Sequence, residues 1–204
     1  MLDVLKNLMA KKSKYTVKFY KGDYFDRQKA ANADKCICYI EHHFNSSAAP
    51  DPTTADYAVV IVGKNASTKS IQWGKLYSRM VDEEFNEIRK VGGTDGVLIG
   101  GYGGRGDGNV RLTNMPAILV EPMFCNDPEH AKVIKSQEGQ EKLAEILVAS
   151  ILTIFPNGGL VGFSIGHKYK TSNPNDRGAE IVGGGTEADC AEQVLLAAHK
   201  LLES

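Results

Sequence analysis

Two histidines and two glutamates stand where the chain could do chemistry. His43 follows the apolar run KCICYIEH, and His167 closes LVGFSIGH, each at the point where a strand gives way to a polar loop. In open α/β sheets, ligands gather outside the carboxyl ends of strands, so two such histidines can face one site. A strand-end histidine is nonetheless more often structural. Glu121 ends PAILVE, a carboxylate directly after a run of apolar residues. Buried there, it must be paired, metal-bound or reactive. The plain alternative is an ion pair with Arg111. Glu187 follows GGGT and opens a helical run. An acidic residue there also suits the helix dipole, with Thr186 as a cap. Two histidines and one carboxylate, with an open fourth position and a further glutamate, make the composition of a hydrolytic zinc site. His130 in PEHAK and His199 in AAHKLL read as solvated helix surface.

These residues need elements to hold them. KYTVKFY alternates as a strand does. Asp26 is placed to cap a helix through RQKAANAD. KCICYIEHHFN, DYAVVIVG, PAILVEPMF and LVGFSIGH are apolar and β-rich, as buried strands are. GVLIGG is a short strand. Residues 68–90, 129–136, 138–155 and TEADCAEQVLLAAHKLLES carry helical periodicity, and so does the start of the chain over residues 2–11. GYGGRGDGN, PNGG and KYKTSNPNDRGAEIVGGG read as loops or turns. Strands alternating with helices predict an α/β fold, with a single mixed or mostly parallel sheet flanked by helices on both faces.

Composition sets the outer bounds. The chain has 204 residues, with 24 Lys+Arg against 25 Asp+Glu and a net charge of −1. That balance lacks the basic excess of a nucleic-acid scaffold. No apolar run approaches the roughly 18 residues that a membrane helix needs. The four cysteines make no disulfide framework. Cys36 and Cys38 read as buried apolar thiols. Residues 101–106 match G-x-G-x-x-G, but DGNVRLTNMP follows where a dinucleotide site needs a helix. The N-terminal stretch MLDVLKNLMAKKSK has no continuous apolar core, so no signal peptide is seen.

Three segments carry a resemblance. RQKAANADKCICYIEHHFN resembles the R…AN…AD…S-I-H-x-N run of zinc-dependent N-acetylmuramoyl-L-alanine amidases, the family called amidase type 3. NVRLTNMPAILVEPMFCND resembles the same family's L…P-A-x-L-V-E-x-G-F-x-x-N segment. The family's opening part is a strand ending in Gly-His, then a loop, then a Glu at a helix start. Here it stands at the back, in LVGFSIGHKYKTSNPNDRGAEIVGGGTEAD. The order looks circularly permuted. Residues 1–155 resemble the family's central and C-terminal part, 156–159 a linker, and 160–204 the family's N-terminal part, all within one catalytic domain. In this scheme the break falls in the helix after Glu187, which residues 2–11 would complete or pair with. Phe19-Tyr20 stand where the family has Thr-Arg, and Pro122-Met123 where it has a small residue and Gly.

The resemblance implies an activity and a site. His43, His167 and Glu187 would hold Zn²⁺, and Glu121 would be the general base. Asn45 and Arg111 are the candidate substrate contacts. Because neighbours alternate along a strand, only one of His42 and His43 can face the site, and the H-x-N match selects His43. His42 or Glu41 could stand behind it as a supporting partner. The bond cut would be the amide between N-acetylmuramic acid and L-alanine in peptidoglycan. Peptidoglycan would be the partner, with no nucleic acid and no membrane insertion. The chain would be made in the cytoplasm and act on the cell wall as phage lysins do, or be a domain of an exported protein. The alternatives are a zinc metallopeptidase or amidohydrolase acting on another peptide, and a non-catalytic wall-binding module.

Overall fold

The computed structural model describes residues 14–47, 58–85 and 95–204. The helix expected over residues 2–11, most of the loop after Asn45, and the end of the helix expected over 68–90 lie outside the described residues. In chain order the elements are β1 (Tyr15–Phe19), α1 (Tyr24–Ala33), β2 (Cys38–His42), β3 (Val59–Val62), α2 (Thr68–Phe85) and β4 (Val97–Ile99). The short strands β5 (Gly101–Tyr102) and β6 (Arg105–Gly106) follow, then β7 (Ala117–Glu121). The rest is α3 (Pro128–Lys135), α4 (Gln137–Ile154), β8 (Gly159–Ile165) and α5 (Glu187–Glu203).

Six strands form one mixed sheet in the order β1-β8-β2-β7-β3-β4. All neighbours run parallel except β3 and β7, which are antiparallel. The central strands are covered on both faces and mostly apolar, with Glu41 and His42 of β2 and Ser164 of β8 as buried polar exceptions. Cys38 and Ile40 of β2 enter the larger core with Trp73, Leu147 and Leu195, whereas Tyr39 enters a smaller one with Ala31, Ile61 and Leu119. Side chains alternate along β2, so His42 turns into the larger core beside Phe44, with ring centroids 5.1 Å apart.

Local chemistry ends the helices where it should. Asp127 caps α3 by accepting from the N–H groups of Glu129 and His130, with Pro128 in the first turn. Ser136 caps α4 through the N–H of Gly139. Thr186 caps α5 through the N–H of Asp189. Among the described residues, no helix is long and apolar enough to cross a membrane.

Three expectations need correction. α1 begins at Tyr24 after Asp23, so Asp26 lies inside its first turn. The glycine-rich stretch is a small antiparallel hairpin, β5 with β6, followed by a single 3₁₀ turn at Asp107–Asn109. His130 is 2% exposed rather than solvated, because its Nδ1 accepts the N–H of Phe124. α5 itself spans 17 residues, and Glu203 at its end accepts the N–H of Val17 in β1.

Trp73 shows what holds the helix layer. It is fully buried, donates Nε1–H to Ser150 Oγ at 2.9 Å and packs edge-on to Phe155 at 5.0 Å. Trp73→Ala leaves a cavity and removes the donor to Ser150 Oγ, and should cost about 3–5 kcal/mol in urea denaturation.

Candidate metal centre

The sheet brings the chemical residues together by direction alone. β2, β7 and β8 are parallel, with His42 opposite both Val120 and Ile165. The next residue of each strand must therefore arrive at the same edge: His43, Glu121 and Gly166. Backbone hydrogen bonds carry the register one step further, from His43 N–H to Val120 O and from Gly166 N–H to His42 O, each 2.9 Å. His167 follows Gly166 with φ +61°, a left-handed turn that swings its ring back across the strand ends. The ring centroids of His43 and His167 are 4.9 Å apart.

Glu187 completes the group from the first turn of α5. Its Oε1 lies 2.8 Å from His43 Nδ1 and 3.4 Å from His167 Nε2. Its Oε2 accepts the N–H of Ala179 at 3.0 Å. One ligand atom from each of His43, His167 and Glu187 lies within 4.8 Å of the others. Each histidine has a carboxylate behind it. His43 Nε2 lies 3.0 Å from Glu41 Oε1, and His167 Nδ1 lies 2.9 Å from Asp176 Oδ1. That leaves His43 Nδ1 and His167 Nε2 turned toward the same oxygen of Glu187. The donor set fits a divalent metal, with its supporting carboxylates already in place. His42 has no such part, since both of its ring nitrogens are buried without a partner.

Two glycines keep the space around these side chains open. A Cβ at Gly166 would stand 2.4 Å from Nδ1 of His43. A Cβ at Gly178, where φ is +69°, would stand 2.3 Å from Glu187 Oε2. Any larger residue at either place would push His43 or Glu187 aside.

The charges are tuned by this company. Burial would raise the Glu41 carboxyl, but the hydrogen bond from His43 and the charges of His43 and Arg27 outweigh it and bring it down to about 2. Burial would lower the His43 imidazole, yet its hydrogen bonds to Glu187 and Glu41 lift it to about 10. Burial pushes Glu121 up, and its Oε2 has no partner. A carboxyl held in that way beside a candidate metal centre is suited to moving a proton.

The centre opens into a cavity of about 530 Å³. His43, Asn45, Glu121, His167 and Glu187 line it, together with Tyr102 and Arg105 of the hairpin. Asn45 therefore sits in the cavity, donating to the Tyr102 hydroxyl at 3.3 Å. Arg111 does not. It pairs with Asp107 at 3.0 Å and lines a neighbouring cavity with Asn65 and Lys69. Arg105, whose charge acts on Glu121, stands on the site side instead. Sequence reasoning missed Arg105, Tyr102 and Asp176, because only the fold sets a hairpin and a distant loop beside the strand ends.

Residues 3–153 match the family described as N-acetylmuramoyl-L-alanine amidase. Among solved structures, an N-acetylmuramoyl-L-alanine amidase from Clostridium difficile 630 is similar at 21% identity with a TM-score of 0.54, over 66% of each chain. The catalytic domain of the amidase CwlV from Bacillus (Paenibacillus) polymyxa var. colistinus is similar at 16% identity with a TM-score of 0.53, again over 66% of each chain. The CwlD amidase from Clostridioides difficile, in complex with the GerS lipoprotein, is similar at 16% identity with a TM-score of 0.52, over 65% of this chain and 61% of that one. The chain thus spans a little under two-thirds of the length of these proteins, and the likeness is one of fold. No curated protein sequence matches it.

The geometry makes two predictions, with zinc as the probe. Gly166→Ala should weaken zinc binding by at least roughly tenfold in chelator competition, while the circular dichroism spectrum stays unchanged. The second concerns pH. Below its raised pKa of about 10 the His43 ring is protonated, and it must lose that proton to bind a cation. Zinc affinity should therefore climb by about tenfold per pH unit from pH 7 to 9. Calorimetry in buffers of differing ionisation enthalpy should register the released proton, and a pH-independent affinity would contradict the assignment.

Proposed function

The chain belongs to the N-acetylmuramoyl-L-alanine amidase family, and from that membership we propose that it hydrolyses the amide between the lactyl group of N-acetylmuramic acid and L-alanine in peptidoglycan. In this reading His43, His167 and Glu187 hold a zinc ion, and Glu121 is the general base. The observation that supports it is the convergence of those three side chains within 4.8 Å, on the same cavity as a buried carboxylate oxygen without a partner.

The chain's own residues then have defined tasks. A bound zinc ion would supply Lewis acidity toward the scissile carbonyl and acidify the attacking water. Glu121 takes a proton from that water as its oxygen adds to the carbonyl carbon. The same carboxyl returns the proton to the departing alanine nitrogen when the C–N bond breaks. Burial aids both halves, because a raised carboxyl pKa makes Glu121 a better base and still lets it give the proton back. Asn45, Tyr102 and Arg105 line the cavity where the glycan and peptide would lie, so these residues, and not Arg111, are assigned to substrate contact.

We also infer a permuted order of segments. The family match ends at residue 153, whereas His167 and Glu187 come from the stretch after it. β8 nonetheless lies inside the sheet, between β1 and β2. The end of α5 reaches β1 through the Glu203–Val17 bond. Residues 160–204 therefore supply what the family's opening segment supplies, and action on peptidoglycan places the protein's work at the cell wall.

The test is mass spectrometry of products from purified peptidoglycan, with and without a zinc chelator. Expected are stem peptides with free L-alanine amino termini and intact glycan strands, lost on chelation. Glu121→Ala should keep zinc and lose roughly 10²-fold or more in turnover. Peptides cut elsewhere would indicate a metallopeptidase. Zinc bound without any cleavage would indicate a wall-binding module.

A further inference from the structure

Behind the two histidines runs a continuous chain of buried polar groups. Arg27 of α1 is 1% exposed and Glu41 of β2 is 2% exposed. Their charges lie 4.0 Å apart, and Ser164 of β8 bridges them. Arg27 Nη1 donates to Ser164 Oγ at 2.7 Å, and Ser164 Oγ donates to Glu41 Oε2 at 3.1 Å. Tyr39 OH donates to the same oxygen at 3.3 Å. Glu41 Oε1 accepts from Asn109 Nδ2 at 2.5 Å and meets His43 Nε2 at 3.0 Å. Both carboxylate oxygens are thus fully used, and one of those uses is the far nitrogen of His43.

The other end of the chain grips the backbone around His167. Arg27 Nη1 donates to Ile165 O at 2.7 Å, Nη2 donates to Lys168 O, and Nε donates to Gly22 O at 2.6 Å. The carbonyls of Ile165 and Lys168 flank Gly166-His167, where His167 holds its left-handed φ of +61°. A non-glycine residue persists in that region only when its surroundings over-determine it. The guanidinium fork spans the two carbonyls in a way that a point charge cannot.

A buried ion pair is weak evidence of stabilisation, since well-packed apolar residues often do as well. A pair whose carboxylate meets His43 and whose guanidinium holds the carbonyls on either side of Gly166-His167 points to positioning. We propose that Arg27 and Glu41 form one positioning device for the metal centre. Glu41 holds His43 with its proton on Nε2, so that Nδ1 is free for the ion. Arg27 holds the turned backbone that carries His167, and Ser164 couples the two. The inference rests on the metal-centre reading proposed above.

The test uses the full chain with zinc as the probe. Affinity is read by chelator competition, and histidine ring state by long-range ¹H–¹⁵N correlation of the zinc-loaded protein. Glu41→Gln keeps an amide oxygen for Nε2–H, so it should lose zinc affinity by roughly tenfold and retain the His43 ring pattern. Glu41→Ala should lose roughly 100-fold and show a mixture of His43 tautomers. Arg27→Lys keeps the charge but not the fork, and should disturb the His167 signals while sparing those of His43. Ser164→Ala should lower affinity and weaken the coupling between the two sites. Should Glu41→Ala fail to fold, Glu41→Gln and Ser164→Ala, both close in shape to the parent, carry the test. Variants that bind zinc as tightly as the parent, with unchanged ring signals, overturn the inference. A parent chain that binds no zinc overturns the metal-centre reading beneath it instead.

Discussion

A carboxylate that is 4% exposed cannot stay ionised without partners, and Glu187 finds them in three separate parts of the chain. Its Oε1 meets His43 after β2 at 2.8 Å and His167 after β8 at 3.4 Å, and accepts the N–H of Phe44 at 3.3 Å. Its Oε2 takes the N–H of Ala179 in the long loop before α5. Satisfying this one buried group therefore closes β2, β8, the loop and the start of α5 onto one another. The same contacts leave two ring nitrogens and a carboxylate oxygen facing a common point.

Sheet direction makes that closure possible. With β2, β7 and β8 parallel and adjacent, the residues just past their ends share one edge. The antiparallel β3 pairs with β7 on the far side and contributes none of the three clustered side chains. Helix packing under the sheet, with Trp73 and Phe155 at its centre, keeps the strands in register but does not touch the centre. The core thus packs on the faces of the sheet, and the candidate centre lies past the carboxyl ends of its strands. This is the usual arrangement in open α/β sheets.

The electrostatics at this edge favour a cation. Glu41, Glu121, Asp176 and Glu187 surround two histidines. Arg27 neutralises Glu41 from behind, and Lys170 pairs with Asp176 at 2.6 Å. Glu121 is left with an unpartnered oxygen, and burial holds its pKa up. Three carboxylates therefore have a histidine ring nitrogen within hydrogen-bond distance, and the fourth keeps an oxygen without a partner. The glycines at 166 and 178 keep this edge sparse enough for an ion and a substrate to approach.

Much of this was legible in the residues. Apolar β-rich runs marked the strands, because parallel strands buried on both faces have no polar side to show. Thr186, read as a cap, sits at a real helix start, because capping is chemistry within one turn, whereas Asp26 lies inside its helix. His43 and His167 stood out as the ends of such runs, and Glu121 as a charge after an apolar strand. What the residues could not tell was set by distance. The partner of Glu121 was open to Arg111, which the fold ties to Asp107 instead. His130 looked solvated until Phe124 N–H was brought to its ring. Arg27 lay in a helix with nothing local to mark it as a clamp on residues 138 and 141 positions away. A sequence determines what can happen within a turn or along a strand, since neighbours there are neighbours in the chain. Which buried charge meets which partner depends on strand order and direction, and only the folded sheet decides those.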